Sequence, residues 1–344
     1  MKKIGLALMA VVLIAGCAFF LIKPESPTAV PEVIPAAAPS EVTPQPQPVT
    51  RPTRLTLATG GTAGTYYPFG GALAQVISEK SGVVSITAQP SGATGENLSL
   101  IDMGDVDMAL VQNDLSHYAY SGIEIFEGNK VSNFKAIARM YPEIVHVVAQ
   151  GGSGVQSMAD LQGKRVSVGA SGSGNEANCR QIFEFYGLSY NNIRPLFISY
   201  AETTNHFKDR QVDAFVYTTG VPNPSIKDIV TEHDAVFVPI DGEEREEIIK
   251  KYPFFTAYAI PAGSYEGQTE DVGTIAVQCI LIVREDIPEN TVYEMTKALF
   301  ENLDALGAAH AKGMEVSAEK ALDGLTVPLH PGAERYFKEA GVVN

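Results

Sequence analysis

The sequence predicts an α/β protein whose two lobes face each other across a ligand cleft. Three observations lead there. Strands and helices alternate along the chain, one strand–loop–helix unit occurs twice, and each copy carries a Gly/Ser/Thr loop between its first strand and first helix. Parallel strands joined by helices are covered on both faces. Ligands in such open sheets sit beyond the carboxyl ends of the strands, where both loops fall.

The N-terminus is set aside from the fold. Met1-Lys2-Lys3 is a short basic start, followed by an apolar stretch over 4–22. Leu13-Ile14-Ala15-Gly16-Cys17 has the pattern of a bacterial lipobox, which would place lipid on Cys17. The apolar run continues past that cysteine through Ile22 and is long enough for a spanning helix of ~20 residues. A lipoprotein and an uncleaved signal anchor are the two readings, and both export the chain and tether it to a membrane. Prolines at 24, 27, 31, 35, 39, 44, 46, 48 and 52 then mark 23–53 as an extended spacer, because proline fixes φ and removes an N–H donor.

The first unit opens with an alternating strand over 55–59 and the loop Gly60-Gly61-Thr62-Ala63-Gly64-Thr65. A helix over 66–80 follows, with Phe69, Leu73, Val76 and Ile77 on one face. Then come a strand over 83–88, the loop 89–95, a helix over 96–103 and a strand over 108–111 that ends in Gln112-Asn113-Asp114. The second unit repeats the plan. It has a strand over 165–169, the loop Ala170-Ser171-Gly172-Ser173-Gly174-Asn175 and a helix over 176–186. A strand over 193–200, a helix over about 202–209 and a strand over 214–217 complete it.

Two further strands link the units. One over 143–149 leaves lobe one, and one over 274–283 returns to it before a helix over 289–306. Lobe one is therefore expected over 54–149 plus about 272–344, and lobe two over 150–271. Paired crossings of this kind make a hinge.

Each glycine loop ends a strand and opens a helix. A helix N-terminus presents unpaired N–H groups and the positive end of a dipole, which suits a carboxylate or phosphate. Candidate ligand-binding residues are Gly61, Thr62, Thr65 and Tyr66 in the first loop and Ser171, Ser173, Gly174 and Asn175 in the second. Ser91, Gln112 and Tyr217 join them from loop and strand ends. Of Tyr66 and Tyr67, one is expected to pack and the other to reach the ligand. No arginine clamp is evident.

Other chemistries do not assemble. The net charge of −15 argues against nucleic acid, which needs clustered Lys and Arg. The six histidines, at 117, 146, 206, 233, 310 and 330, lack metal-ligand spacing, so no metal or cofactor is expected. Gly172-Ser173-Gly174-Asn175-Glu176-Ala177 fits a loose dinucleotide pattern, but no acidic residue ends the next strand. Glu243-Glu244-Arg245-Glu246-Glu247 reads as a solvated helix face. Cys179 and Cys279 read as two buried thiols in preference to a disulfide.

Several blocks match one family in order. Thr59-Gly60-Gly61-Thr62-Ala63-Gly64-Thr65-Tyr66-Tyr67-Pro68 and Gly104-Asp105-Val106-Asp107-Met108-Ala109-Leu110-Val111-Gln112 lie in the first unit. Asp160-Leu161-Gln162-Gly163-Lys164-Arg165-Val166 and Ser171-Gly172-Ser173-Gly174 lie in the second, and Pro328-Leu329-His330-Pro331-Gly332-Ala333 near the C-terminus. Together they resemble the TAXI family, the solute-binding receptors of one class of TRAP transporter. The resemblance implies a type II periplasmic-binding-protein fold. It also implies a glutamate-, glutamine- or 2-oxoglutarate-like solute and delivery to a TRAP membrane permease. Asn175 departs from the Thr often seen there, and the tether departs from the many receptors free in the periplasm. The expected function is an extracytoplasmic receptor and not an enzyme; a tethered ligand sensor acting on a membrane signalling partner is the alternative.

Overall fold

Alternation of buried and exposed residues sets the first strand, β1 (Thr53–Ala58), with Leu55 and Leu57 inward. A computed structural model describes residues 51–343. The apolar N-terminal run, Cys17 and most of the proline-rich spacer lie outside the described residues. After β1 come α1 (Tyr66–Ser81), β2 (Val84–Gln89), α2 (Thr94–Met103), β3 (Met108–Gln112) and α3 (Asn113–Ser121). Helix α1 buries Phe69, Leu73, Val76 and Ile77 against the sheet. Each such side chain contributes about 1.5–3 kcal/mol. Gly82 at φ 66° ends α1 in the left-handed region, which glycine enters without strain.

Strand β4 (Phe134–Gln150) then crosses to the second lobe, formed by β5 (Arg165–Ser167), α4 (Gly174–Phe185), β6 (Arg194–Leu196), α5 (Tyr200–Lys208) and β7 (Ala214–Thr219). The chain continues through α6 (Pro224–Glu232), β8 (Ala235–Phe237), α7 (Gly242–Lys251) and β9 (Thr256–Ile260). It returns along β10 (Val272–Arg284) and finishes with α8 (Glu289–Phe300), α9 (Leu303–Ala309) and α10 (Pro331–Glu339).

Sheet order shows how the lobes interlock. In lobe one β2, β1 and β3 pair in parallel and β10 lies antiparallel beside β3. In lobe two β6, β5 and β7 pair in parallel and β4 lies antiparallel beside β7. Each crossing strand thus sits next to the third strand of the lobe it visits, and the two crossing strands pair with each other. This is the type II periplasmic-binding-protein arrangement. Pro142 stands mid-strand opposite Gln278, next to a register shift, the setting in which a strand tolerates a missing N–H.

Three expectations about elements are corrected. The crossing strand predicted over 143–149 begins at Phe134. Ser199 caps α5 through Glu202 in a reciprocal capping box, so Tyr200 opens a helix instead of closing a strand. The helix predicted over 289–306 breaks after Phe300, where Asn302 turns its amide back onto the Ala298 carbonyl at 2.9 Å. Cys179 and Cys279 are free and buried, in separate parts of the core. Among the described residues, no helix is long and apolar enough to cross a membrane.

Candidate ligand-binding cleft

Four helices begin at one cavity of about 220 Å³ between the lobes. Thr65 and Tyr66 start α1, Ala93 and Thr94 start α2, Ser173 and Gly174 start α4, and Ser199 and Tyr200 start α5, and all of these line it. First-turn N–H groups have no partner inside their own helix. Helices α1 and α2 also have no side-chain cap, whereas Ser173 Oγ accepts from Glu176 N and Ser199 Oγ accepts from Glu202 N. An anion is favoured at each start by about 0.3–1 kcal/mol. The volume equals roughly seven waters, enough for a solute of amino-acid size.

An asparagine staples the strand ends in each lobe. Asn97 Nδ2 donates to the carbonyls of Thr59 and Leu110, both at 2.7 Å, and its Oδ1 accepts from Ser91 Oγ at 2.6 Å. Asn175 Nδ2 donates to the carbonyls of Val168 at 2.7 Å and Val216 at 2.9 Å. Its Oδ1 accepts from Thr218 N at 2.6 Å and lies 3.2 Å from the Tyr200 hydroxyl. These bonds use all the hydrogen-bonding capacity of the Asn175 amide.

The floor is the crossing strand β4. Glu143 is buried there; Tyr66 Oη donates to its Oε1 at 2.5 Å and Gln112 Nε2 to its Oε2 at 3.4 Å. Burial pushes this carboxyl up to about 8, although both hydrogen bonds pull the other way. No Lys, Arg, His or Asp is among the described lining residues. Gln112 Oε1 and Thr218 Oγ1 are buried without a partner.

The lobes touch on both sides of the cavity. Thr65 does not cap its own helix; its hydroxyl lies 2.9 Å from that of Thr219 and accepts from Gly220 N at 3.3 Å. Ser225 Oγ donates to the Ala63 carbonyl at 2.9 Å. Elsewhere Asn178 Nδ2 donates to Asp114 Oδ2 at 2.8 Å and Gln181 Nε2 to the Tyr118 hydroxyl at 2.9 Å. Burial pushes Asp114 up to about 6. Gly95 meets the Gly172 carbonyl so closely that a Cβ there would overlap it. These contacts describe a closed cleft.

The family model described as the NMT1-like family matches residues 57–341. The chain belongs to the NMT1-like family. A solved structure of a Bordetella bronchiseptica RB50 protein resembles this family member over 85% of this chain and 99% of that one, with 15% identity and a TM-score of 0.55. That likeness is one of fold. The alkanesulfonate-binding protein SsuA from Xanthomonas axonopodis pv. citri, bound to MOPS, shares 15% identity over 84% of each chain at a TM-score of 0.47. A putative L-cystine ABC transporter from Listeria monocytogenes shares 16% identity over 78% of this chain and 98% of that one at 0.48. At those scores neither bears on what this NMT1-like protein binds.

Of the residues singled out from the sequence, Gly61, Thr62, Thr65, Tyr66, Ser91, Gln112, Ser173, Gly174 and Asn175 line the cavity. Two do not. Ser171 is exposed outside it. Tyr217 is fully buried behind it, where its ring stacks on Tyr200 at 3.8 Å and its hydroxyl donates to the Tyr200 carbonyl at 2.7 Å. Tyr200 is the ring that reaches the cavity. Ser91 and Asn175 line it but serve other side chains and the backbone, and Asn113 holds Gly324 and Gln278 instead of facing the cleft. Sequence reasoning missed Thr94, Glu143, Tyr200, Thr218 and Thr219. Glu143 left a signal, an acidic residue inside the apolar run that was itself predicted to cross the hinge. The Ser199-x-x-Glu202 capping box would have placed Tyr200 at a helix start.

Proposed function

We propose that this chain is an exported, membrane-tethered solute-binding receptor that closes its lobes on a small carboxylate and hands it to a membrane permease. Convergence of four helix N-termini on one cavity between the lobes, with no basic side chain among its described lining residues, carries the reading. Oriented N–H groups hold an anion without a counter-charge, and release needs only opening of the hinge. The amino-acid-sized volume fits a glutamate-, glutamine- or 2-oxoglutarate-like solute. The TAXI resemblance supports a permease of the TRAP class. The Leu13–Cys17 pattern supports a lipid tether at Cys17, with an uncleaved anchor as the other route to the membrane. A carboxylate and amino-acid library screened by thermal shift, with mass spectrometry of any co-purified solute, tests the reading. A saturable shift with at least one carboxylate is expected; no response to any of them contradicts it.

A further inference from the structure

We propose that Glu143, with Gln112 and Thr218, forms a subsite for a protonated nitrogen on the solute, so that the cleft takes an α-amino acid in preference to the matching oxo or nitrogen-free acid. This inference rests on the carboxylate-receptor reading.

The four helix starts account for a negative group, yet the floor of the same cavity is acidic. Glu143 is the sole acidic or basic side chain among the described lining residues. Each of its oxygens accepts one hydrogen bond, from Tyr66 and from Gln112, and a carboxylate has about four acceptor sites. Acceptor capacity is therefore left over. Gln112 and Thr218 also line the cavity, are 3% and 4% exposed, and each carries a side-chain oxygen without a partner. Buried polar atoms without partners are costly and infrequent. Gln112 Oε1 can only accept; it rests against Gly174, and a small turn of the amide would offer it to a donor on the solute, while the Thr218 hydroxyl can donate or accept. A second carboxylate at this floor would face the Gln112 and Glu143 oxygens, with only the Glu143 proton and the Thr218 hydroxyl free to donate to it. An ammonium would meet a carboxylate it can ionise, amide and hydroxyl oxygens, and surroundings of low dielectric in which the pairing is strong. A zwitterion thus matches both ends of the cavity, donors at the helix starts and acceptors on β4 and the ends of β3 and β7.

Calorimetric titration of the full-length chain tests this with L-amino acids, including L-glutamate and L-glutamine, against their 2-oxo and nitrogen-free counterparts. The amino compound is expected to bind at least tenfold more tightly than either counterpart. Glu143→Gln is expected to remove most of that preference. The conservative Glu143→Asp is expected to keep part of it. Equal or tighter binding of the oxo or nitrogen-free acid to the unsubstituted chain overturns the inference and leaves the receptor reading intact. So does a preference unchanged in Glu143→Gln. Binding of no carboxylate of any kind overturns both.

Discussion

The two lobes are built to one plan but hold their loops differently. Both staple the ends of their first and third strands with an asparagine amide, to carbonyls at matching positions: Thr59 and Leu110 in one, Val168 and Val216 in the other. In lobe one that asparagine, Asn97, comes from the second helix. In lobe two Asn175 comes from the first. The consequence falls on the loops. Lobe two closes its first loop with Asn175 and caps α4 with Ser173, whereas lobe one leaves the starts of α1 and α2 without side-chain caps. Pro68, third in α1, has no N–H, so the additional free first-turn donor of lobe one lies at α2, and lobe two presents a better tied wall. A repeated scaffold can conserve its staple while moving its binding groups.

The comparison breaks first at the staples. Asn97→Ala and Asn175→Ala each remove buried hydrogen bonds and orphan two carbonyls, and each is expected to destabilise by about 3 kcal/mol in chemical denaturation. A large loss from only one would show that the two amides are not equivalent. Gly95→Ala tests the meeting of the lobes. Its Cβ would overlap the Gly172 carbonyl, so closure is hindered by about 1–3 kcal/mol and solute affinity should fall about tenfold or more. The melting temperature without solute should change little, and retained affinity would show that closure does not need this contact.

The hinge belongs to neither lobe and has its own pH signature. Glu143 is raised from 4.5 to about 8, so the folded chain holds that proton more tightly than the unfolded one. Its contribution to stability is complete below pH 4.5 and is lost as pH rises toward 8. Glu143→Gln removes that loss. The melting temperature of the variant relative to the unsubstituted chain should rise steadily across this window, and a pH-independent difference would contradict it. The smallest expected effect is at Ala93, where α2 starts with φ 71° and ψ −153°, a region held almost entirely by glycine. Ala93→Gly should stabilise by about 1 kcal/mol in the same denaturation assay, since relief of strain exceeds the added chain entropy.

Much of this was legible in the sequence, for identifiable reasons. The loops and helix starts carry periodicity and glycine signals, and Gly61, Thr62 and Gly174 of those loops line the cavity. Side-chain allegiance was not legible. Whether Asn175 faces a solute or the backbone depends on strand ends far along the chain, and Tyr217 and Tyr200 exchanged places because a short β6 hid the capping box. Strand β4 was cut short because Lys135, Arg139 and Pro142 break its apolar run, while its burial comes from pairing with β10, which no local pattern records.

In the proposed function, helix starts from both lobes hold one anionic solute, and α2 offers it the most free donors. Amide hydrogen exchange of the full-length chain, with and without a carboxylate identified by screening, tests it most directly. Solute-dependent protection is expected to be largest at the first turn of α2, with smaller gains at α1, α4 and α5. Protection confined to lobe two, or absent from all four helix starts when the solute is bound, would contradict it.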